Sequence, residues 1–295
     1  MFKPGEIFVR TSGAATALAG PAEMGDIISR AVTKKSDDLL HSIRRVMAGE
    51  RPPENPGWRT LFAPELTVWQ KAEEAFRAKN GGGTFSVLVV PVGPTKPQAR
   101  DFAALHTAVE SSRVSLRGLD FPTELGARAV NASNRIELSV EAGRFKEQWM
   151  LFRTLLFGHI HVILEETGSL SQGGNVLDFV NAILTLGEVV LFAHRLLQAV
   201  SYQGEVLIQI SLHRMKERRL AALVYPGVPF RDDRKCVEDH FEIEKRIHTT
   251  DLASGWEQVA ADLAEELFAM FNWTNPGPQR GTILEWIGRL RDRKL

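Results

Sequence analysis

The run Val176-Leu177-Asp178-Phe179-Val180-Asn181-Ala182-Ile183-Leu184-Thr185-Leu186-Gly187-Glu188-Val189-Val190-Leu191-Phe192-Ala193-His194-Arg195-Leu196-Leu197-Gln198-Ala199-Val200 is the most apolar stretch of the chain, and its reading decides the fold. Asp178, Asn181, Glu188, His194 and Arg195 interrupt it, too many polar groups for a membrane span. It therefore predicts a long core helix of a soluble protein. At about 100° per residue, Asp178, Asn181, Thr185, Glu188 and Arg195 fall on one stripe, with Phe192 among them. Such a stripe lines a cleft, with Glu188 as base or ligand and Arg195 as anion anchor. The plainer alternative is a face shown to water on which Glu188 and Arg195 pair.

Outward from this helix the apolar pattern changes period. Phe85 to Pro91 is a short, β-branched, continuously apolar run and predicts a buried strand. Ile136, Leu138 and Val140 alternate with Glu137, Ser139 and Glu141, as a half-buried strand does. Gln148–Thr154 and Phe157–Glu165 predict a hairpin around Leu155 and Leu156. Val206, Ile208, Ile210 and Leu212 alternate, as do Leu220, Ala222 and Val224, with His213 to Arg219 as a charged hairpin connection between them. Phe241, Ile243 and Ile247 mark one more strand. Helices are predicted at Pro64–Lys79, with Leu66, Trp69, Ala72 and Phe76 on one side, and at the C-terminus. There Ser254 with Glu257 and Thr282 with Glu285 read as capping boxes. The fold class is α+β: a mostly antiparallel sheet with a long central helix and C-terminal helices, preceded by a short strand-loop-helix segment.

Composition narrows the function. Among 295 residues, 36 Lys and Arg balance 36 Asp and Glu, so no basic surplus points to nucleic acid. One cysteine, Cys236, excludes an internal disulfide and suits a reducing compartment. No basic stretch precedes an apolar run at the N-terminus, so the reading is a soluble, cytoplasmic protein without membrane association. His159 and His161 lie two apart on a predicted strand and share a face, without a third metal ligand at a useful spacing. Cys236 and His240 are similarly isolated. No Gly-x-Ser-x-Gly elbow, Walker lysine loop or His-Glu-x-x-His helix occurs. The charged segment Arg214 to Arg219 reads as a solvated turn or a phosphate contact.

The N-terminus is organised differently. Glu6–Arg10 is β-like, Thr11–Gly20 is a loop of small residues, and Pro21 opens a helix bearing Met24, Ile27, Ile28 and Ala31. A second helix is predicted over Asp37–Ala48. Gly49-Glu50-Arg51-Pro52-Pro53-Glu54-Asn55-Pro56-Gly57 cannot continue it. The expected division is residues 1–48, a linker at 49–60, and an α+β body at 61–295. Arg10, Thr11, Ser12, Gly13 and Thr16 form a weak candidate anion or phosphate site, since turn amides and a helix N-terminus carry partial positive charge. The plainer reading is a connection whose hydroxyls cap the helix.

Gly5, Arg10, Ser12, Gly13, Thr16, Ala19 and Glu23 resemble the closing element of the AlbA-like domain of Schlafen-type ATP-binding and DNA-binding bacterial proteins. Leu116-Arg117-Gly118-Leu119-Asp120-Phe121-Pro122 resembles an Arg-Gly-aromatic-Asp-Phe-Pro element of the same proteins, with Leu119 in place of tryptophan. The upstream strands of that domain have no counterpart before Met1. The resemblance implies an N-terminally truncated relative whose C-terminal portion is non-catalytic and acts by binding or assembly. It implies ATP as cofactor, nucleotide or nucleic acid as partner through the missing region, and self-association as a homo-oligomer. Two other readings stand beside it: a hydrolase or nuclease using carboxylates on the sheet and Glu188, and a DNA-binding transcriptional regulator.

Overall fold

The computed structural model describes residues 57–93, 96–117, 120–124, 128–143, 145–166, 175–223, 234–273 and 280–294, together with the backbone of 8–10 and 16–18. The chain divides into two units, Met1–Gly57 and Trp58–Leu295.

In the first unit, β1 (Phe8–Arg10) and β2 (Thr16–Leu18) pair antiparallel, with Arg10 opposite Thr16. Thr16–Leu18 thus belongs to a hairpin rather than to the expected loop, which corrects the Thr11–Gly20 reading. The alternative is local: two extended segments close together in sequence satisfy each other's amides and carbonyls. The helices expected at 21–31 and 37–48, and the residues Thr11, Ser12 and Gly13, lie outside the described residues.

The second unit opens with α1 (Trp58–Leu61) and α2 (Ala63–Asn80). Helix therefore begins inside the expected 49–60 linker. Pro64 stands in the first turn of α2, where its missing N–H costs nothing, and Gly81 ends the helix in the left-handed conformation at φ 69°. Then come β3 (Thr84–Val92), α3 (Phe102–Ser112) capped by Asp101, and the short pair β4 (Val114–Ser115) and β5 (Asp120–Phe121). A meander follows: β6 (Val130–Ala132), β7 (Arg135–Ala142), β8 (Phe145–Phe152) and β9 (Phe157–Val162). The β8–β9 turn is the expected hairpin, with Leu155 at positive φ. A single 3₁₀ turn (Leu164–Glu166) precedes β10 (Val176–Asp178), which leads into α4 (Phe179–Ala199). The remaining elements are β11 (Glu205–His213), β12 (Arg219–Ala221), β13 (His240–His248), α5 (Thr249–Ala269) and α6 (Arg280–Arg291).

Seven strands form one antiparallel sheet in the order β13-β11-β3-β9-β8-β7-β6. This is the predicted α+β class. β12 departs from the expected hairpin: it pairs in parallel with β10, Leu220 opposite Leu177. The 213–219 segment is therefore a crossover, not a hairpin connection. The reason lies at Arg218, which is buried, donates to the Val176 carbonyl and pairs with Glu166, pulling the segment toward β10. Thr282 does not frame its helix, and Ser254 marks a break within one rather than the start of the element. Ser254 donates to the Asp251 carbonyl inside α5, whose path breaks at Gly255, and Thr282 lies two residues inside α6.

The sheet is covered on both faces, which is why every residue of β9 is buried. On one face Phe85, Val87, Val89, Trp149, Leu151 and Phe157 pack under α3, α4, α5 and α6. On the other, Leu88, Val90, Met150, Phe152 and Ile160 pack under α1 and α2 through Phe62, Leu66, Trp69 and Phe76. α4 buries 16 of its 21 residues. At about 1.5–3 kcal/mol for each large apolar side chain fully buried, it is the dominant hydrophobic element. Its length and hydropathy would suffice to cross a bilayer, yet 83% of its most apolar window is buried inside the protein.

Candidate functional site

Side-chain alternation puts Glu147 and Trp149 of β8, and Phe157, His159 and His161 of β9, on the face that α4 covers. Register then sets the neighbours: Glu147 lies opposite His161, and Trp149 opposite His159. The helix contributes Asn181, Thr185 and Glu188, one turn apart along its underside. The connection from β4 to β5 closes the remaining side with Arg117, Asp120, Phe121 and Thr123. These groups enclose a pocket of about 200 Å³, with Phe145 and Leu164 as its apolar walls.

Two carboxylate pairings meet in it. Arg117 forks onto Glu188, its Nε 3.0 Å from Oε1 and its Nη2 on Oε2, while Nη2 also donates to Thr185 Oγ1 at 3.2 Å. Burial nonetheless holds the Glu188 carboxyl above its usual range, against the pull of Arg117. On the sheet side, Glu147 Oε1 accepts the Thr123 amide at 2.8 Å and lies 3.1 Å from His159 Nε2. That approach is close enough for an ion pair, but its direction is not that of a hydrogen bond. Both ring nitrogens of the buried His159 consequently lack a hydrogen-bond partner. The His159 ring packs on Phe121, at 4.6 Å between centroids, and its neighbour His161 stacks on Phe85 at 5.3 Å. Burial, with His159 and Arg117 adding, pushes His161 well below the ordinary imidazole range, so its ring is neutral near pH 7.

The structure unites some sequence candidates and separates others. Asn181 and Glu188 line the pocket with both strand histidines. Arg195 does not: two turns further along α4 it donates to the Arg113 carbonyl at 2.6 Å, capping α3 instead of anchoring an anion. Glu188 pairs with Arg117, not Arg195, and faces the protein interior rather than water. Asp178 caps α4, accepting from the Asn181 amide at 2.8 Å. Of the charged segment, Arg218 is consumed by Glu166 and Arg214 by the Gly81 carbonyl. Cys236 is buried, its thiol pushed up by that burial, and His240 stacks on His213. Among the described residues, no three His, Cys, Asp or Glu side chains are grouped to hold a metal ion.

Two pocket residues escape a reading of motifs. Glu147 had a signal, standing between Phe145 and Trp149 on the inward face of a strand, where a carboxylate needs a partner. Arg117 is anticipated only as part of the Leu116–Pro122 element.

No family model matches the chain, and no curated protein or solved structure matches it. The Schlafen-type resemblance accordingly stands on its own motif residues.

Proposed function

We propose that the pocket beneath α4 is a general acid–base site that hydrolyses a small uncharged substrate. The observation carrying this is His159: a buried imidazole, unsatisfied at both nitrogens, backed by a carboxylate and open to a cavity. In that role His159 takes the proton of an attacking water, Glu147 stabilises the imidazolium that forms, and Arg117 faces the oxygen on which charge develops. The His159 imidazolium then returns that proton to the leaving group, while Glu188 holds the Arg117 fork in place. The hydroxyls that line the pocket are engaged, Thr123 donating to the Asp120 carbonyl and Thr185 accepting from Arg117, so water is the nucleophile in this reading.

The lining selects the substrate. Glu147, Glu188 and Asp120 against one guanidinium disfavour a polyanion, which argues for a hydrolase rather than a nuclease. A volume of about 200 Å³ lies below the usual range for drug-sized ligands, so the substrate is small. The buried apolar helix and the lone cysteine support a soluble, cytoplasmic setting.

A second reading is a binding module of Schlafen type. It is favoured by one observation: the Leu116–Pro122 element supplies Arg117, Asp120 and Phe121 to the same pocket. A panel of small chromogenic esters and amides separates the two. Turnover abolished by His159→Gln supports hydrolysis; saturable binding without turnover supports the module.

A further inference from the structure

The opposite face of the sheet carries a second cleft, with a different lining. Toward β9 and β8 this face is apolar, as a face covered by a helix should be. Along β11 it changes character: Leu207 is followed on the same side by Gln209, Ser211 and His213. Register extends two of these positions, Ser211 and His213, across three strands. Ser211 lies between Ser86 and Glu242, and His213 between Thr84 and His240. Ser86, Gln209 and Ser211 are buried where α2 crosses above them, while His240 and Glu242 on the edge strand stay exposed. Between helix and sheet lies a cleft of about 510 Å³, walled by Leu66, Trp69 and Leu88.

Gln209 is the informative residue. It is 6% exposed, its Nε2 lies 3.4 Å from Ser211 Oγ, and its Oε1 has no hydrogen-bond partner. A buried amide oxygen facing a cleft is an acceptor waiting for a donor. The charges around it are already committed: Arg77 to Glu73 at 2.5 Å, Arg59 to Glu244. His213 adds no charge near neutrality, since burial, with Arg77 and His240 adding, lowers it to about 4. What the cleft offers is a row of neutral hydroxyl and amide groups beside an apolar wall, with Glu74 and Glu242 at the edge to repel anions.

We propose that this cleft binds an uncharged polyhydroxylated ligand of mono- or disaccharide size. The volume lies in the range of small-molecule sites, and hydroxyl-rich rings present both hydrogen-bond donors for Gln209 and C–H faces for Trp69 and Leu66. The inference is independent of the acid–base pocket, which lies on the other side of the sheet.

Titration of the ¹⁵N-labelled full chain with glucose, maltose and trehalose, followed by amide and indole shifts, tests it. At least one sugar is expected to give saturable shifts at Ser86, Gln209, Ser211 and the Trp69 indole. Gln209→Leu and Ser211→Ala are each expected to weaken binding at least tenfold while the melting temperature is held or raised. Absence of saturable shifts with all three sugars overturns the proposal, as does unchanged affinity in both folded variants. Competition by inorganic phosphate would overturn it too, by assigning the cleft to anions.

Discussion

Glu188 and Arg117 illustrate how a buried pair is read at the residue scale. Glu188 is almost wholly buried and Arg117 partly so, and each is the other's main compensation. Removing one partner strands a charge, whereas removing both leaves an apolar contact. Glu188→Gln or Arg117→Met alone should each cost on the order of 3 kcal/mol, and the double variant distinctly less than the sum; a denaturant double-mutant cycle checks this. His213 makes a second test. Its folded value of about 4 lies below the ordinary 6.5, so as pH falls the unfolded chain binds the proton first. The stability that His213 contributes above pH 6.5 is therefore lost as pH falls from 6.5 toward 4. His161 acts in the same direction, while Glu188, whose folded state holds its proton more tightly, opposes it. His213→Gln should flatten the decline in melting temperature over that window, relative to the unaltered protein.

At the scale of elements, the docking of α2 rests on one close approach. A Cβ on Gly158 of β9 would lie 2.5 Å from Trp69 Cδ2 and Cε3, in the middle of an indole that has nowhere to move. Gly158→Ala should cost about 1–3 kcal/mol and shift the Trp69 fluorescence, as the helix is lifted from the sheet. The elements also show what the sequence could reveal. α2, β3, β7 and α4 carry strong periodicity, because each buries a face or its whole girth against a partner layer. β12 was misread because three residues of alternation say nothing about which strand they join. Its partner β10 is 43 positions away by register, Arg219 opposite Val176, and a buried Arg218 decides the match. The break at Gly255 was marked in the sequence by Ser254 and Glu257, which read as a helix start there, although the Ser254 hydroxyl donates to the Asp251 carbonyl.

At the scale of the whole molecule, the pocket is a product of layering. The polar stripe on α4 was legible in sequence as far as Asn181, Thr185 and Glu188, since one helix fixes their common face. Its continuation to Arg195 was not, because two further turns carry that residue past the pocket to the end of α3. The histidine pair was legible as a shared strand face, but its convergence with Glu188 depends on a helix and a sheet meeting across more than twenty residues of chain. Among the described residues, the two hydrophobic clusters are built within the second unit. Deleting residues 1–57 should therefore leave its melting temperature within a few degrees of the full chain, as read by calorimetry.

The central claim is that His159, backed by Glu147, is a general base. The most direct measurement compares the hydrolysis rate of the best substrate from the ester and amide panel in the unaltered protein, His159→Gln and Glu147→Gln, with folding verified by circular dichroism. A loss of about 100-fold or more in His159→Gln, and a smaller loss in Glu147→Gln, is the predicted result. Equal rates in all three folded proteins would contradict it.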